Sequence, residues 1–151
     1  MNTAVSYENE LLLKTVQSFL DAEIYPHEEE VDRAGEVPLE LGHQIEQRSK
    51  EVGLFASNLP EHVGGGGLNY TAMSVVEREY GKTSHALHSW IARPTELLLA
   101  CEGDQIARYL DPCVTVEKRE LFALTEPEAG SDVMGMKTNA RRDGDDWILN
   151  G

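Results

Sequence analysis

The chain has 151 residues, room for one ordinary domain or for a domain and a fragment. Hydrophobic residues make up 40% and charged residues 26%, which suits a folded protein and excludes a wholly disordered one. Lys and Arg number 13 against 27 Asp and Glu, a formal charge of −14, and such a field repels nucleic-acid backbones and anionic membrane surfaces alike. The longest helix-like apolar stretch, Leu97–Cys101, falls far short of the roughly 18–20 residues of a membrane span. Neither nucleic acid nor a membrane is an expected partner.

The acid is concentrated early. Between Met1 and Glu51 stand 4 basic and 12 acidic residues, which reads as a well-solvated helical surface. The start lacks a basic segment leading into an apolar core, and it is acid-rich where a mitochondrial presequence is Arg-rich. Cys101 and Cys113 form no metal spacing and are too few for a disulfide framework. A reducing, cytoplasmic location is the expectation.

In chain order, Glu8 to Ile24 reads as a helix, with Leu12, Val16, Phe19 or Leu20, and Ile24 on one stripe. Ser6 or Asn9 can cap it, and Pro26 ends it. His27 to Val37 is polar and reads as a connector around Gly35. Pro38 opens a second helix, with Leu41, Ile45, Ser49 and Val52 on one face and Gly53 as its left-handed stop. Leu54 to Leu68 is a loop with four glycines, Gly64 to Gly67. It lacks the lysine of a phosphate loop and reads as a turn for close packing. Asn69 begins a third helix carrying Tyr70, Met73, Val76 and Tyr80, and Gly81 stops it. Thr83 to Cys101 is a fourth helical stretch, kinked or divided by Pro94. Asp104 caps a short helix with Ile106, Tyr109 and Leu110, and Asp111-Pro112 closes the helical part.

The texture then changes. Leu121 to Thr125 suits a buried strand, Glu126 to Asp132 is a loop, and Met136 to Arg142 alternates as a half-exposed strand does. Asp143-Gly144 signals a hairpin, and Trp147-Ile148-Leu149 is the return strand. Two or three strands make a sheet with too little apolar face to stand alone.

The segment Phe122 to Asp132 carries the chemistry. A strand presents N–H and C=O groups at fixed spacing, and with the Thr125 hydroxyl these suit the edge of a heteroaromatic ring. Gly130 allows close approach, and the amides of Ala129 to Asp132 with the Ser131 hydroxyl can form an anion nest. By themselves these residues leave cofactor binding and an ordinary strand–loop–strand equally open.

The run Ala123-Leu124-Thr125-Glu126-Pro127-Glu128-Ala129-Gly130-Ser131-Asp132-Val133-Met134-Gly135 resembles the signature of the acyl-CoA dehydrogenases. Pro60-Glu61-His62-Val63-Gly64-Gly65, Gly103-Asp104-Gln105, Tyr109-Leu110, Met136-Lys137-Thr138 and Trp147 to Gly151 extend the resemblance over nearly the whole chain. It implies a mainly α fold: an N-terminal helical domain over residues 1–120, then the first two or three strands of an incomplete β-domain over 121–151, with the C-terminal helical domain absent. It implies FAD and α,β-dehydrogenation of acyl-CoA thioesters. The backbones of Phe122, Leu124 and Thr125, with the Thr125 hydroxyl, are expected at the flavin edge. Gly130 and Ser131 are expected along the FAD pyrophosphate, and Ser131 also against the CoA portion. The acyl tail is expected near Trp90 to Leu99, although core packing is the competing role of Trp90, Leu97 and Leu98.

The same resemblance assigns the catalytic glutamate to the C-terminal domain, outside these residues, and leaves Glu126 and Glu128 as loop residues, Glu126 structural. This chain alone is therefore expected to be inactive. Electron-transferring flavoprotein is the implied electron acceptor, and the full-length enzyme is expected to be a dimer or tetramer. The alternative is a non-catalytic helical module of the same descent that binds acyl-CoA or a protein. His85 and His88 lack a third ligand and read as a surface or core pair rather than a zinc site. Lys118-Arg119 and Arg141-Arg142 read either as phosphate contacts or as surface pairs with Glu117, Glu120 and Asp143.

Overall fold

The computed structural model describes residues 7–91 and 93–151, and the chain forms two compact units, Met1–Glu120 and Leu121–Gly151. It is mainly helical, and the described residues form two strands in one antiparallel sheet. No helix among the described residues is long and apolar enough to cross a membrane.

In the first unit, helix α1 runs Tyr7–Glu23 and buries Val16, Phe19 and Leu20, the stripe its spacing predicts. The proposed cap Ser6 lies outside the described residues. Pro26 sits in a 3₁₀ turn, Tyr25–His27. The expected connector is instead a helix, α2, Glu28–Ala34. It has one buried residue, Val31, so no apolar period announces it. Three glutamates at its first turn complement the helix dipole, and Gly35 at φ 75° closes it.

Helix α3, Leu39–Glu51, follows Pro38. Its end is a Schellman motif. Leu54 N–H donates to Ser49 C=O at 2.9 Å, Gly53 N–H donates to Lys50 C=O at 3.1 Å, and Gly53 takes φ 74°. Helix α4, Tyr70–Tyr80, is capped by Asn69, whose side-chain oxygen accepts from Ala72 N–H at 3.0 Å. It packs on α1, and Gln17 of α1 donates to the buried Glu79 carboxylate of α4. Lys82 and Arg78 also bond Glu79, and the Lys82 ammonium leads in holding its pKa below the usual carboxylate range. The core between these helices gathers Val16, Leu20, Ile24, Ile45, Leu54, Val76, Tyr80, Leu87 and Ile91.

The glycine run packs backbone on backbone. Gly64 N–H donates to Glu61 C=O, Gly65 to Pro60, Gly66 to Ala56 and Gly67 to Leu59, all within 3.1 Å. Every amide of the run is thereby engaged, which leaves none for a phosphate. A Cβ on Gly65 would stand 2.2 Å from the Leu59 carbonyl oxygen.

The long helical stretch expected over Thr83–Cys101 is not formed. Helix α5 is only His85–His88, and a 3₁₀ turn spans Glu96–Ala100. Proline has no N–H to continue a helix, and the Pro94 carbonyl is taken by the Asn58 side-chain amide at 2.9 Å. Thr95 then starts the 3₁₀ turn by accepting from Leu97 N–H. Asp111-Pro112 does not close the helical part either. A π-helical turn, Ile106–Leu110, runs into α6, Asp111–Val114, so Pro112 stands within a continuous helical run. A second core cluster forms there from Phe55, Ala56, Leu59, Leu110 and Val114.

In the second unit, β1 is Asn139–Asp143 and β2 is Asp146–Asn150, paired Asn139 to Asn150 through Asp143 to Asp146. The two-residue loop starts at Gly144, φ 65°, where a type II′ turn requires positive φ. The expected strand Leu121–Thr125 has no ladder partner among the described residues, and Leu121 and Phe122 are exposed rather than buried. A strand exists only by pairing, so its apolar pattern is present without its structure.

Two outcomes follow from these packings. Gly65→Ala is expected to lose on the order of 3 kcal/mol in urea denaturation, because backbone must move. Gly35→Ala, with open space at its Cβ, loses only the left-handed penalty of about 1 kcal/mol. The second outcome concerns His88, which stacks on Tyr80, contacts Thr83 Oγ1 at 3.2 Å and meets His85 at 3.0 Å. Burial, then His85, lowers its pKa below 6.5. Its neutral form stabilises the fold fully above pH 6.5, and that stability is lost as pH falls through 6.5 toward the folded value. His88→Phe is expected to flatten the urea midpoint between pH 7.5 and 5.5.

Candidate functional site

Within the second unit, residues 121–125 belong to no helix or strand and have exposed side chains, and their backbone groups bond to nothing among the described residues. Phe122, Leu124 and Thr125 therefore keep free amides and carbonyls among the described residues. The chain next makes a tight reversal. Glu126 N–H donates to Ala129 C=O at 3.1 Å, and Ala129 N–H returns to Glu126 C=O at 3.2 Å. Gly130 and Ser131 follow directly, exposed, with amides that donate to no acceptor among the described residues. A Cβ at Gly130 would meet nothing within 4 Å, so the backbone there is open to a ligand. The five residues singled out from sequence thus flank one reversal.

That reversal is pinned by Glu126. Its carboxylate accepts the backbone N–H groups of Lys137 and Thr138, each at 2.8 Å. These bonds hold its pKa below the usual carboxylate range, the Lys137 amide contributing most. A carboxylate bound on two amides is a brace for the loop rather than a base. Glu128 pairs with the Lys137 ammonium on the surface.

The first unit contains a cavity of about 190 Å³ lined by Glu46, Phe55, Ser89, Arg93, Pro94, Cys113, Lys118, Arg119 and Glu120. Two of its lining residues, Glu46 and Arg119, belong to a stack beside it. The Trp90 ring lies against Gly42, where a Cβ would come within 2.3 Å of the indole. The Arg119 guanidinium covers the ring at 3.7 Å from its centroid. Arg119 directs Nε (2.9 Å) and Nη2 (2.8 Å) to one oxygen of Glu46, whose side chain is only 2% exposed. His43 reaches the other oxygen at 3.3 Å. Arg119 is thus paired with a carboxylate on α3 rather than with Glu117 or Glu120, the surface pairing that was one of its two expected roles. Glu120 accepts the Thr95 N–H. Trp90 serves packing here, Leu98 packs against the second cluster, and Leu97 is exposed.

Arg93 pairs with Glu77, sits over the Tyr80 ring at 5.6 Å, and has its pKa lowered by burial. A second hollow, about 410 Å³, is walled by Leu97, Leu98, Cys101, Tyr109 and Cys113. Both cysteines are free thiols, and burial pushes the Cys113 thiol up. Sequence reasoning missed Glu46 and Arg93. The available signal was Glu46 itself, one turn beyond Gly42 and next to Ile45 on a face otherwise built for burial.

Residues 6–117 match the family model described as acyl-CoA dehydrogenase, N-terminal domain. The chain belongs to the acyl-CoA dehydrogenase family. It is 35% identical over 149 residues to the 3-(aryl)acrylate reductase of Clostridium sporogenes, which covers 95% of this chain and 38% of that one. It is 36% identical over 151 residues to the mitochondrial long-chain specific acyl-CoA dehydrogenase of Sus scrofa, covering 97% and 34%. Among solved structures it resembles an acyl-CoA dehydrogenase from Bacillus anthracis complexed with FAD, with TM-score 0.79 and 26% identity, covering 100% of this chain and 26% of that one. The chain therefore spans between a third and two fifths of the length of these two curated relatives.

Glu126→Gln is expected to speed amide hydrogen exchange at Lys137 and Thr138, because a neutral acceptor holds those donors less strongly. Since the folded pKa of Glu126 is depressed, the same protection in the unaltered protein is expected to persist above pH 4.5 and to fade as pH falls through the folded value.

Proposed function

We propose that the protein to which this chain belongs binds FAD and catalyses α,β-dehydrogenation of acyl-CoA thioesters. The observation that carries this reading is the reversal at Glu126: unpaired backbone groups on one side and open, unpaired amides at Gly130 and Ser131 on the other. These residues fit the cofactor. The amides and carbonyls of Phe122, Leu124 and Thr125, with the Thr125 hydroxyl, match the donors and acceptors of the flavin pyrimidine edge. The Gly130 and Ser131 amides suit a pyrophosphate, because free N–H groups stabilise anionic oxygens without a side chain in the way. When bound, FAD supplies the acceptor for the hydride that leaves Cβ.

The roles of the chain's own residues are binding and orientation. Glu126 keeps the reversal closed, so the two ligand edges stay at fixed separation. Ser131 reaches the CoA portion. The acyl group enters the first unit near Trp90 to Leu99. The proton on Cα is removed by a carboxylate supplied from outside residues 7–151, since Glu126 is committed to two amides. Electron-transferring flavoprotein is the proposed acceptor, and the complete enzyme is proposed to be a cytoplasmic homo-oligomer.

The full-length protein is expected to purify yellow, and acyl-CoA added without oxygen is expected to bleach the flavin band. Thr125→Val and Gly130→Val are each expected to lower FAD affinity at least tenfold in a fluorescence titration. A colourless full-length protein that takes up no FAD on reconstitution supports the binding-module alternative instead.

A further inference from the structure

The protein's two cysteines stand apart in sequence, yet the fold sets both on the wall of one hollow, beside Leu98 and Tyr109. Cys101 follows the 3₁₀ turn Glu96–Ala100, and Cys113 belongs to α6. Cys101 packs against the second apolar cluster, whose members Leu110 and Val114 flank Cys113 in the chain. Both thiols are free, and the hollow leaves both side chains room to turn. They differ in access: Cys113 is only 7% exposed, whereas Cys101 is half-buried. Burial, then Glu120, raises the Cys113 pKa, and Cys101 adds to the rise, so the two sulfurs feel one another's charge. The thiolate is the reactive form of a cysteine. Cys101 is therefore the sulfur that meets an oxidant first, and Cys113 the one placed to resolve it. The 3₁₀ turn that Cys101 ends is lightly held, by Leu98 N–H on Thr95 C=O and Cys101 N–H on Leu98 C=O, each at 3.1 Å.

We propose that Cys101 and Cys113 form a reversible disulfide site, oxidised by a hydroperoxide, that ties the 3₁₀ turn to α6. With hydrogen peroxide, the Cys101 thiolate attacks the O–O bond, keeps one oxygen as a sulfenic acid and releases hydroxide. The Cys113 sulfur then attacks the Cys101 sulfur, the S–S bond forms, and the oxygen leaves as water with the Cys113 proton. The two thiols give up two electrons, and the peroxide becomes two waters. Exchange with a small thiol reverses the bond.

The test uses the full-length, flavin-loaded protein, reduced and then treated with hydrogen peroxide at a dose that oxidises a free cysteine peptide. The protein is alkylated, digested with trypsin and mapped by mass spectrometry. Cleavage after Arg108 separates the two cysteines, so a joined pair is read directly as a linked peptide. A Cys101–Cys113 link that dithiothreitol removes is the expected result. Cys101→Ser is expected to slow loss of the Cys113 thiol at least tenfold, and Cys113→Ser to leave a sulfenic acid at Cys101 that dimedone labels. Once the link is complete, amide hydrogen exchange at Leu98 and Cys101 is expected to slow at least fivefold. Two thiols that both stay open to alkylation overturn the proposal, whether or not either variant folds. So does a Cys101 carried on to the sulfinic acid beside an intact Cys113 thiol, or a Cys101 linked to any other cysteine. Unchanged exchange at Leu98 in the fully linked protein overturns the tie to α6.

Discussion

The buried carboxylate of Glu46 is the constraint around which the first unit is organised. An ionised carboxylate taken out of water needs a partner held in good geometry, and removing that partner costs about 3–5 kcal/mol. Here the partner, Arg119, lies 73 residues away in sequence. Satisfying Glu46 therefore fixes the end of the unit against α3. The same guanidinium covers Trp90, and Trp90 in turn needs a residue without a side chain at Gly42. Four residues from three parts of the chain are placed by one desolvated charge.

The glycine loop performs the complementary task with backbone alone. Its four amides saturate carbonyls between Ala56 and Glu61, so the turn before α4 is closed without a side chain. This brings the Phe55–Leu59 segment under the second apolar cluster, which also receives Leu110 and Val114 from the π turn and α6. A non-glycine residue, Ala56, accepts φ 51° in that turn, and Val116 accepts φ 71° just past α6. Both sit where packing overdetermines the backbone, which is the condition under which such conformations persist.

The second unit is held differently. Its hairpin is exposed at all ten strand positions, and its loop is organised by hydrogen bonds to Glu126 rather than by a core. That leaves the backbone groups of its loop open to solvent. Membership in the acyl-CoA dehydrogenase family rests on residues 6–117, and the signature around Thr125 lies just beyond them.

From sequence alone, α1, α3 and α4 were legible, because each carries an apolar stripe of helical period and a recognisable stop. So were the hairpin and the Glu126 loop, whose turn residues act locally. The helix α2 was not, since seven residues with one buried valine carry no period. The strand at Leu121–Thr125 was legible as a pattern, yet pairing depends on a neighbour and none is present among the described residues. The open backbone around Thr125 and Ser131 was readable as a strand–loop segment because its geometry is local. The Glu46–Arg119 pair and the charged cavity around Arg93 were not, since a charge is buried or solvated according to what folds over it, and only the tertiary structure brings residue 119 onto residue 46.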